Sequence, residues 1–383
     1  MKKQKICIIG GSLTGLVTAI SLSKLNCEID LFTNNLNENV KSNRTIAVSE
    51  NNFDFLNKLQ ISKFFKKKIW PCSIMKLYTE NQNKEFSEIF ELNNDNKKKK
   101  VFYMLENSKI IRDMIKKIKK TKSISIINNK KICEINNSGL LKSVKFNNYN
   151  NSKYNLIIVC AGGKSSLVKS IFNDQIIENS YDETSITAIL NHKSIKNNIA
   201  RQIFLNEEIL ALLPISNNKT SIVWSVKKDM KKNKNFLLKK KIKFYAEKYL
   251  NKVTFATEIE YKNLNFLIRN KYYKDRILLF GDALHSVHPF VGQGFNMTLR
   301  DLVCLERLLY EKMNLGLDIG SSDILLEFSN QTKSRNFAFS VSVDLLKNLL
   351  SFKKLRNDTL KLFNKSNFAK DIFFNIADKG FKF

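Results

Sequence analysis

Arg276-Ile-Leu-Leu-Phe-Gly-Asp-Ala-Leu-His-Ser-Val-His-Pro-Phe-Val-Gly-Gln-Gly-Phe-Asn296 is the stretch whose reading decides the fold. Four apolar residues, Ile277 to Phe280, run into Gly281-Asp282, the pattern of a short buried strand that ends in a polar turn. A carboxylate at such a strand end is well placed to hold a sugar hydroxyl. Pro289, Gly292 and Gly294 follow, and glycines let a backbone approach a flat ligand closely. Apolar residues at helical spacing from Met297 to Leu309 put these glycines just before a helix N-terminus, which favours phosphates and anionic rings. His285 and His288 have the spacing of one helical face, but no third ligand lies nearby and Pro289 interrupts, so no metal is expected.

Working outward, the N-terminus supplies the other half of a nucleotide site. Lys5 to Gly10 reads as a buried strand, Gly10-Gly-Ser-Leu-Thr-Gly15 as a glycine turn, Leu16 to about Leu25 as an apolar helix, and Cys27 to Phe32 as a second strand. This is the unit of dinucleotide binding: a tight turn at Gly10, a close pyrophosphate approach at Gly11 and Ser12, and close helix–sheet packing at Gly15. Ser12 stands where the fingerprint has its middle glycine, and Thr33 stands where it has an acidic residue. Met1 to Lys5 followed by an apolar run looks like a signal peptide, but glycines interrupt the run and no cleavage site follows, so export is not expected.

Composition narrows the class. At 383 residues the chain has room for two domains or one large interleaved one. No apolar run approaches the ~18 residues that span a bilayer. The six cysteines are scattered without C-x-x-C spacing, as expected of reduced thiols in a cytoplasmic protein. A net charge of +30 raises nucleic acid as a partner. The lysines are dispersed, however, and no nucleic-acid motif accompanies them, so no nucleic acid is expected. A basic surface does favour peripheral contact with anionic lipid at the inner face of a membrane.

Further along, helices are expected over about Asn51–Leu59, Asn107–Lys119 and Asn235–Leu250, and strands over Tyr154–Cys160 and much of Ser185–Val226. Glu106 is either a site residue or a capping carboxylate, and Trp70 and Trp224 are expected in the core. The Phe and Leu residues of Leu345–Phe383 are expected to pack rather than to face a membrane. Nucleotide-type elements at the start, near residue 160 and near residue 280 imply a discontinuous domain. The expected fold class is α/β. A Rossmann-like domain of residues 1–75, 101–175 and 268–320 is interleaved with a strand-rich substrate domain of 76–100 and 176–267, and 321–383 form a helical C-terminal region.

These motifs resemble those of the flavoprotein aromatic hydroxylases of the para-hydroxybenzoate hydroxylase fold, the ubiquinone-biosynthesis hydroxylases above all, over nearly the whole chain. The resemblance rests on Gly10–Gly15, Arg44-Thr-Ile-Ala-Val-Ser49, Glu106-Asn107 with Arg112 following, Ala211–Pro214, Val223–Ser225, and above all Gly281–Asn296 with Asp301 behind it. It implies FAD held by Gly10, Gly11, Ser12, Gly15, Thr33, Arg44, Arg112, Gly281, Asp282, Pro289, Gly292, Gln293, Gly294, Phe295 and Asn296. The backbone from Pro289 to Phe295 would line the isoalloxazine, with Asn296 near its polar edge. The implied activity is hydroxylation of a polyprenylated phenol with O2 in ubiquinone formation, NAD(P)H being a possible donor, alone or in a biosynthetic complex. No catalytic base is identified. One motif departs: Gly162 and Lys169 stand where the family has Asp and Arg, which puts NAD(P)H use in more doubt than flavin binding. Two alternatives stay open: a flavoprotein of the same fold with another substrate or donor, and a non-catalytic paralogue acting as a scaffold.

Overall fold

The computed structural model describes residues 3–36, 38, 42–61, 69–81, 85–93, 99–129, 132–146, 149–163, 165–172, 176–205, 208–228, 235–289, 292–351 and 366–380. Phe290 and Val291, inside the expected ligand loop, lie outside the described residues.

A six-stranded sheet organises the nucleotide half. Its order is Tyr273–Lys274, Ile277–Leu279, Leu156–Val159, Gln4–Ile9, Cys27–Thr33 and Ile124–Asn128, parallel except at the Tyr273–Lys274 edge. Its central strands are apolar runs because both faces are covered: Ile6, Ile8, Ile29, Leu31, Ile157 and Val159 are all buried. The helix Leu13–Leu22 lies so deep that Thr14 to Leu22 are all buried. It can lie there because Gly15 has no side chain: a Cβ would sit 1.8 Å from the Gly10 carbonyl oxygen. Gly10 itself has φ 127°, a conformation L-residues avoid. Asp30, buried in the second strand, is satisfied by the Tyr154 hydroxyl at 2.7 Å and by Lys5 Nζ at 2.8 Å.

A nine-stranded, largely antiparallel sheet forms the other half. It joins Ile74–Glu80 and Phe86–Asn93 to the strands between Ile176 and Arg269, and takes in His285–Ser286 at its edge. Strand period decides which face each residue uses. Ile186, Ala188, Leu210, Leu212, Ile222 and Trp224 point to one face, where the helix Asn235–Leu250 covers them with Leu238, Ile242, Tyr245 and Ala246. The alternate residues Ser185, Thr187, Ile209, Ala211, Leu213, Val223 and Ser225 face a cavity. Trp224 is therefore core, while Trp70 is only half-buried.

Three helices close the structure: Gln293–Asn314, Ser322–Ser351 and Asn367–Lys379. No described helix is long and apolar enough to cross a membrane. Leu345 and Ile372 are exposed, at 62% and 44%, so packing accounts for only part of the apolar C-terminal residues.

Candidate cofactor and substrate site

A cavity of about 440 Å³ lies between the loops of the parallel sheet and the free face of the nine-stranded sheet, a size usual for small-molecule sites. Ser12, Arg44, Asp282, Pro289, Gly292, Gly294 and Phe295, all expected site residues, line it together. Gly10, Gly11, Gly15, Thr33 and Gly281 shape the loops behind this wall. A Cβ on Gly11 would meet Thr33 Oγ1 at 2.2 Å, and one on Gly281, at φ 62°, would meet Thr14 Cγ2 at 2.5 Å.

Asp282 sits in a short 3₁₀ turn, Gly281–Ala283. Its neighbours Ile277 to Gly281 and Ala283 to His285 are buried, yet Asp282 is exposed and lines the cavity. Its carboxylate makes no hydrogen bond or ion pair to any described residue. A charged acceptor held open on an otherwise buried turn suits a ligand hydroxyl.

The Gln293–Asn314 helix begins at Gly292, in the left-handed conformation at φ 65°. A Cβ on Gly294 would find no atom within 4 Å, so the backbone here faces open space. Gln293, also an expected site residue, is buried off the cavity lining, and neither of its amide atoms has a hydrogen-bond partner among the described residues. Asn296 plays a different part. Its Nδ2 donates to Ala47 O at 2.9 Å and Gly292 O at 3.2 Å, while its Oδ1 accepts from Ser49 N and Asn52 Nδ2, both at 3.1 Å. Asn296 thus ties the glycine loop to the Thr45–Val48 strand and does not line the cavity. Arg112 is also off the lining and donates from Nε to Glu38 O at 3.3 Å. Glu106 starts the Asn107–Lys119 helix without a side-chain cap bond and pairs with Lys109.

The two histidines do not share a helical face. His285 falls in a short strand because Leu267 and Ile268 pair with Ser286 and His285. His285 Nε2 lies 3.0 Å from Asp301 Oδ2, and Asn336 Nδ2 donates to both oxygens of that carboxylate at 3.0 and 2.8 Å. His288 Nε2 lies 3.0 Å from Glu183 Oε2, and Lys347 Nζ lies 2.5 Å from Glu183 Oε1. Burial lowers the His288 pKa, only partly offset by Glu183. Burial pushes the Glu183 carboxyl up, but the donors on His288 and Lys347 outweigh it and leave a net lowering. The described residues contain no cluster of three or more His, Cys, Asp or Glu arranged for a metal.

Two residues that sequence reasoning missed complete the site. Buried Arg269 donates from Nε to Ala283 O at 2.9 Å and from Nη2 to Gly163 O at 3.2 Å. It stitches the Gly162-Gly163 segment to the Asp282 turn, and its only sequence signal is a cation ending the short apolar run Phe266–Ile268. Lys262 lines the cavity from the strand-rich half. The rest of the strand side is mixed: Met75, Phe102, Met104, Ile209, Ala211, Leu213 and Val223 form an apolar part, and Ser185, Thr187, Arg201, Gln202 and Ser225 a polar one. The open Gly294 backbone and the Asp282 carboxylate, which has no partner among the described residues, fit a polar, flat nucleotide cofactor such as FAD.

Comparison with known proteins agrees. A family model described as an FAD binding domain matches residues 3–331. The chain is 28% identical over 236 residues to the mitochondrial ubiquinone biosynthesis monooxygenase COQ6 of Xenopus tropicalis, covering 52% of this chain and 51% of that protein. It is 29% identical over 200 residues to the ubiquinone hydroxylase UbiL of Rhodospirillum rubrum, covering 51% and 46%. The chain thus spans about half the length of these curated relatives. A longer alignment, to COQ6 of Dictyostelium discoideum, is 22% identical over 443 positions and covers 97% of this chain and 88% of that one. Among solved structures, p-nitrophenol 4-monooxygenase PnpA from Pseudomonas putida superposes with a TM-score of 0.80 at 13% identity, covering 100% and 99%. Pseudomonas aeruginosa PqsL in complex with 2-aminobenzoylacetate gives 0.80 at 13%, covering 93% and 99%. At that identity the likeness shows the fold.

Proposed function

Because this chain belongs to the FAD-binding-domain family, we propose that it is an FAD-dependent monooxygenase that hydroxylates the ring of a polyprenylated phenol in ubiquinone biosynthesis. The observation that supports this best is one cavity that joins the nucleotide loops, with Asp282 and Arg44, to an apolar patch of Met75, Phe102, Ile209, Ala211 and Leu213. The relatives named for ubiquinone biosynthesis support the substrate class.

In this reading Asp282 accepts a hydroxyl of the cofactor's sugar or ribityl part. Ser12 and the first-helix N-terminus face its diphosphate. The backbone at Pro289 and Gly292–Phe295 lies along its ring, with the buried Gln293 side chain behind the cavity lining. Bound there, FAD supplies the redox chemistry, taking electrons from a donor and activating O2 for transfer to the ring. The apolar strand residues hold the phenol and its tail and keep water away from the reacting atoms. His288 carries its proton on Nε2 against Glu183. The domain limits that follow are 1–75, 101–175 and 268–320 for the cofactor domain, 76–100 and 176–267 for the substrate domain, and 321–383 for the helical C-terminal region. A peripheral position at the inner face of a membrane, or in a biosynthetic complex, belongs to the same proposal. Phe236, Leu237 and Phe244, exposed at 80%, 56% and 48% beside exposed Lys240 and Lys243, support it.

Profiling of quinone intermediates after deletion of the gene tests the activity. A precursor lacking one ring oxygen is expected to accumulate, and an unchanged quinone profile sinks the proposal. Gly162 favours a second reading, the same flavoprotein chemistry with a different donor. The backbone there has φ 81° and open space where a side chain would stand. Rapid reduction of bound flavin by NADPH in stopped flow, enhanced by a phenol, argues against that reading.

A further inference from the structure

Lys262 and Arg201 are the charged residues of the cavity that no motif accounts for, and Arg201 is engaged already, over the Tyr249 ring at 5.0 Å and with Ile199 O at 3.3 Å. Lys262 stands in the Glu260–Arg269 strand opposite Ser185, and both line the cavity. It is exposed there, and its ammonium makes no hydrogen bond or ion pair within 4.0 Å to any described residue. Arg44 and Asp282 line the same cavity. Arg44 already has a carboxylate: its Nε lies 3.5 Å from Glu260, which also accepts the Asn43 backbone N–H at 2.9 Å. Asp282, of opposite charge and close enough to act on Lys262 through space, does not close a salt bridge with it. One cavity therefore holds two complementary charges, neither with a direct partner among the described residues.

We propose that Lys262 is a diphosphate-binding residue, by which the strand-rich half of the protein grips an adenine dinucleotide whose sugar Asp282 holds from the other side. This rests on the FAD-binding reading above and adds to it a contact from the second sheet. The chemistry is suitable. A lysine ammonium is a compact point charge with three donors, and a diphosphate is a doubly charged acceptor set. Walls that exclude water strengthen the pairing. Although Lys262 keeps access to solvent, the surrounding cavity walls partly desolvate its ammonium, and this and the neighbouring Arg44 lower its pKa, with Asp282 and Glu260 opposing. An incoming anion relieves both effects and favours the charged amine. The diphosphate of FAD and that of a nicotinamide dinucleotide offer the same chemistry, so the test has an arm for each.

Wild type, Lys262→Met and Lys262→Arg are compared by titrating apoprotein with FAD, following flavin fluorescence, and by NADPH titration of the FAD-loaded protein. Loss of one charge-assisted contact is expected to raise one dissociation constant about tenfold or more in Lys262→Met. It should also reduce the salt dependence of binding, and Lys262→Arg should restore most of the affinity. Weaker FAD binding assigns Lys262 to the flavin, and weaker NADPH binding alone assigns it to the donor. If Lys262→Met binds both like wild type, the proposal is overturned while the FAD reading stands. If wild type binds no FAD, the reading beneath it falls as well. Since the ammonium has no partner among the described residues, the variant should fold normally, which circular dichroism checks.

Discussion

Asp378 and Asn51 lie 327 positions apart and meet twice: Oδ1 accepts the Asn51 backbone N–H at 2.9 Å, and Oδ2 accepts its side-chain Nδ2 at 2.6 Å. The carboxylate does the work of a helix cap. The Glu50–Lys58 helix follows Ser49, whose side chain makes no capping bond. A negative charge at the first turn satisfies an orphan N–H and complements the helix dipole. Ser49 and Asn52 in turn reach Asn296, which holds Gly292. The last described helix is therefore wired to the glycine loop of the cofactor site. Asp378→Ala is expected to cost about 1–3 kcal/mol in urea denaturation and to weaken FAD binding. Unchanged values for both would remove the C-terminal helix from any role in shaping the loop.

Asp282 is open to the cavity and its carboxylate bonds to no described residue, so Asp282→Ala should keep the wild-type melting temperature without cofactor. Its FAD dissociation constant should rise by about tenfold to a hundredfold, as for loss of a hydrogen bond to a charged group. Fluorescence titration measures this, and a wild-type affinity would remove Asp282 from the cofactor contacts.

Two glycines of the site should respond in opposite ways. A Cβ on Gly15 collides with a backbone oxygen at 1.8 Å, whereas one on Gly294 meets nothing within 4 Å. Gly15→Ala is expected to destabilise the fold by about 3 kcal/mol. Gly294→Val should fold with little loss yet fail to retain flavin, because its side chain occupies ligand space. Thermal melts with flavin absorbance separate the cases, and a flavin-loaded Gly294→Val would contradict the placement of the ring.

The His288–Glu183 pair sets a pH dependence. Tyr181 and Glu183 from one strand, and Asp344 and Lys347 from the Ser322–Ser351 helix, face His288. The folded His288 pKa lies below its ordinary 6.5, so the unfolded chain takes up a proton first as pH falls. Stability from this group is complete above that value and is lost on acidification. Glu183, lowered from 4.5, acts with the same sign at more acid pH. The melting temperature should fall between about pH 7 and pH 5, and less steeply in His288→Gln. Parallel profiles for the two proteins would dissociate His288 from the effect.

The strand–glycine–helix unit and the Asp282 turn were legible in the sequence because each depends on neighbours in the chain. Apolar runs make buried strands, and Gly10, Gly15 and Gly281 supply conformations or clearances that other residues lack. The helices Asn107–Lys119 and Asn235–Leu250 were legible from their apolar spacing. The histidines show the limit of such reasoning. Their spacing suggested one helical face, but pairing with Leu267 and Ile268 made His285 a strand residue and sent the two rings to different carboxylates.

What the sequence by itself determined, then, was the pair of cofactor loops and the α/β class, since both follow from local backbone geometry and from the period of apolar residues. Only the tertiary structure decided which side chains share the cavity. Lys262 enters it through the register of the second sheet, Arg269 joins loops 106 and 14 positions away, and Asn296 turns from the cavity to its own support. Such partners are chosen by how two sheets pack, and no spacing along the chain encodes a contact that forms only when distant segments are brought together.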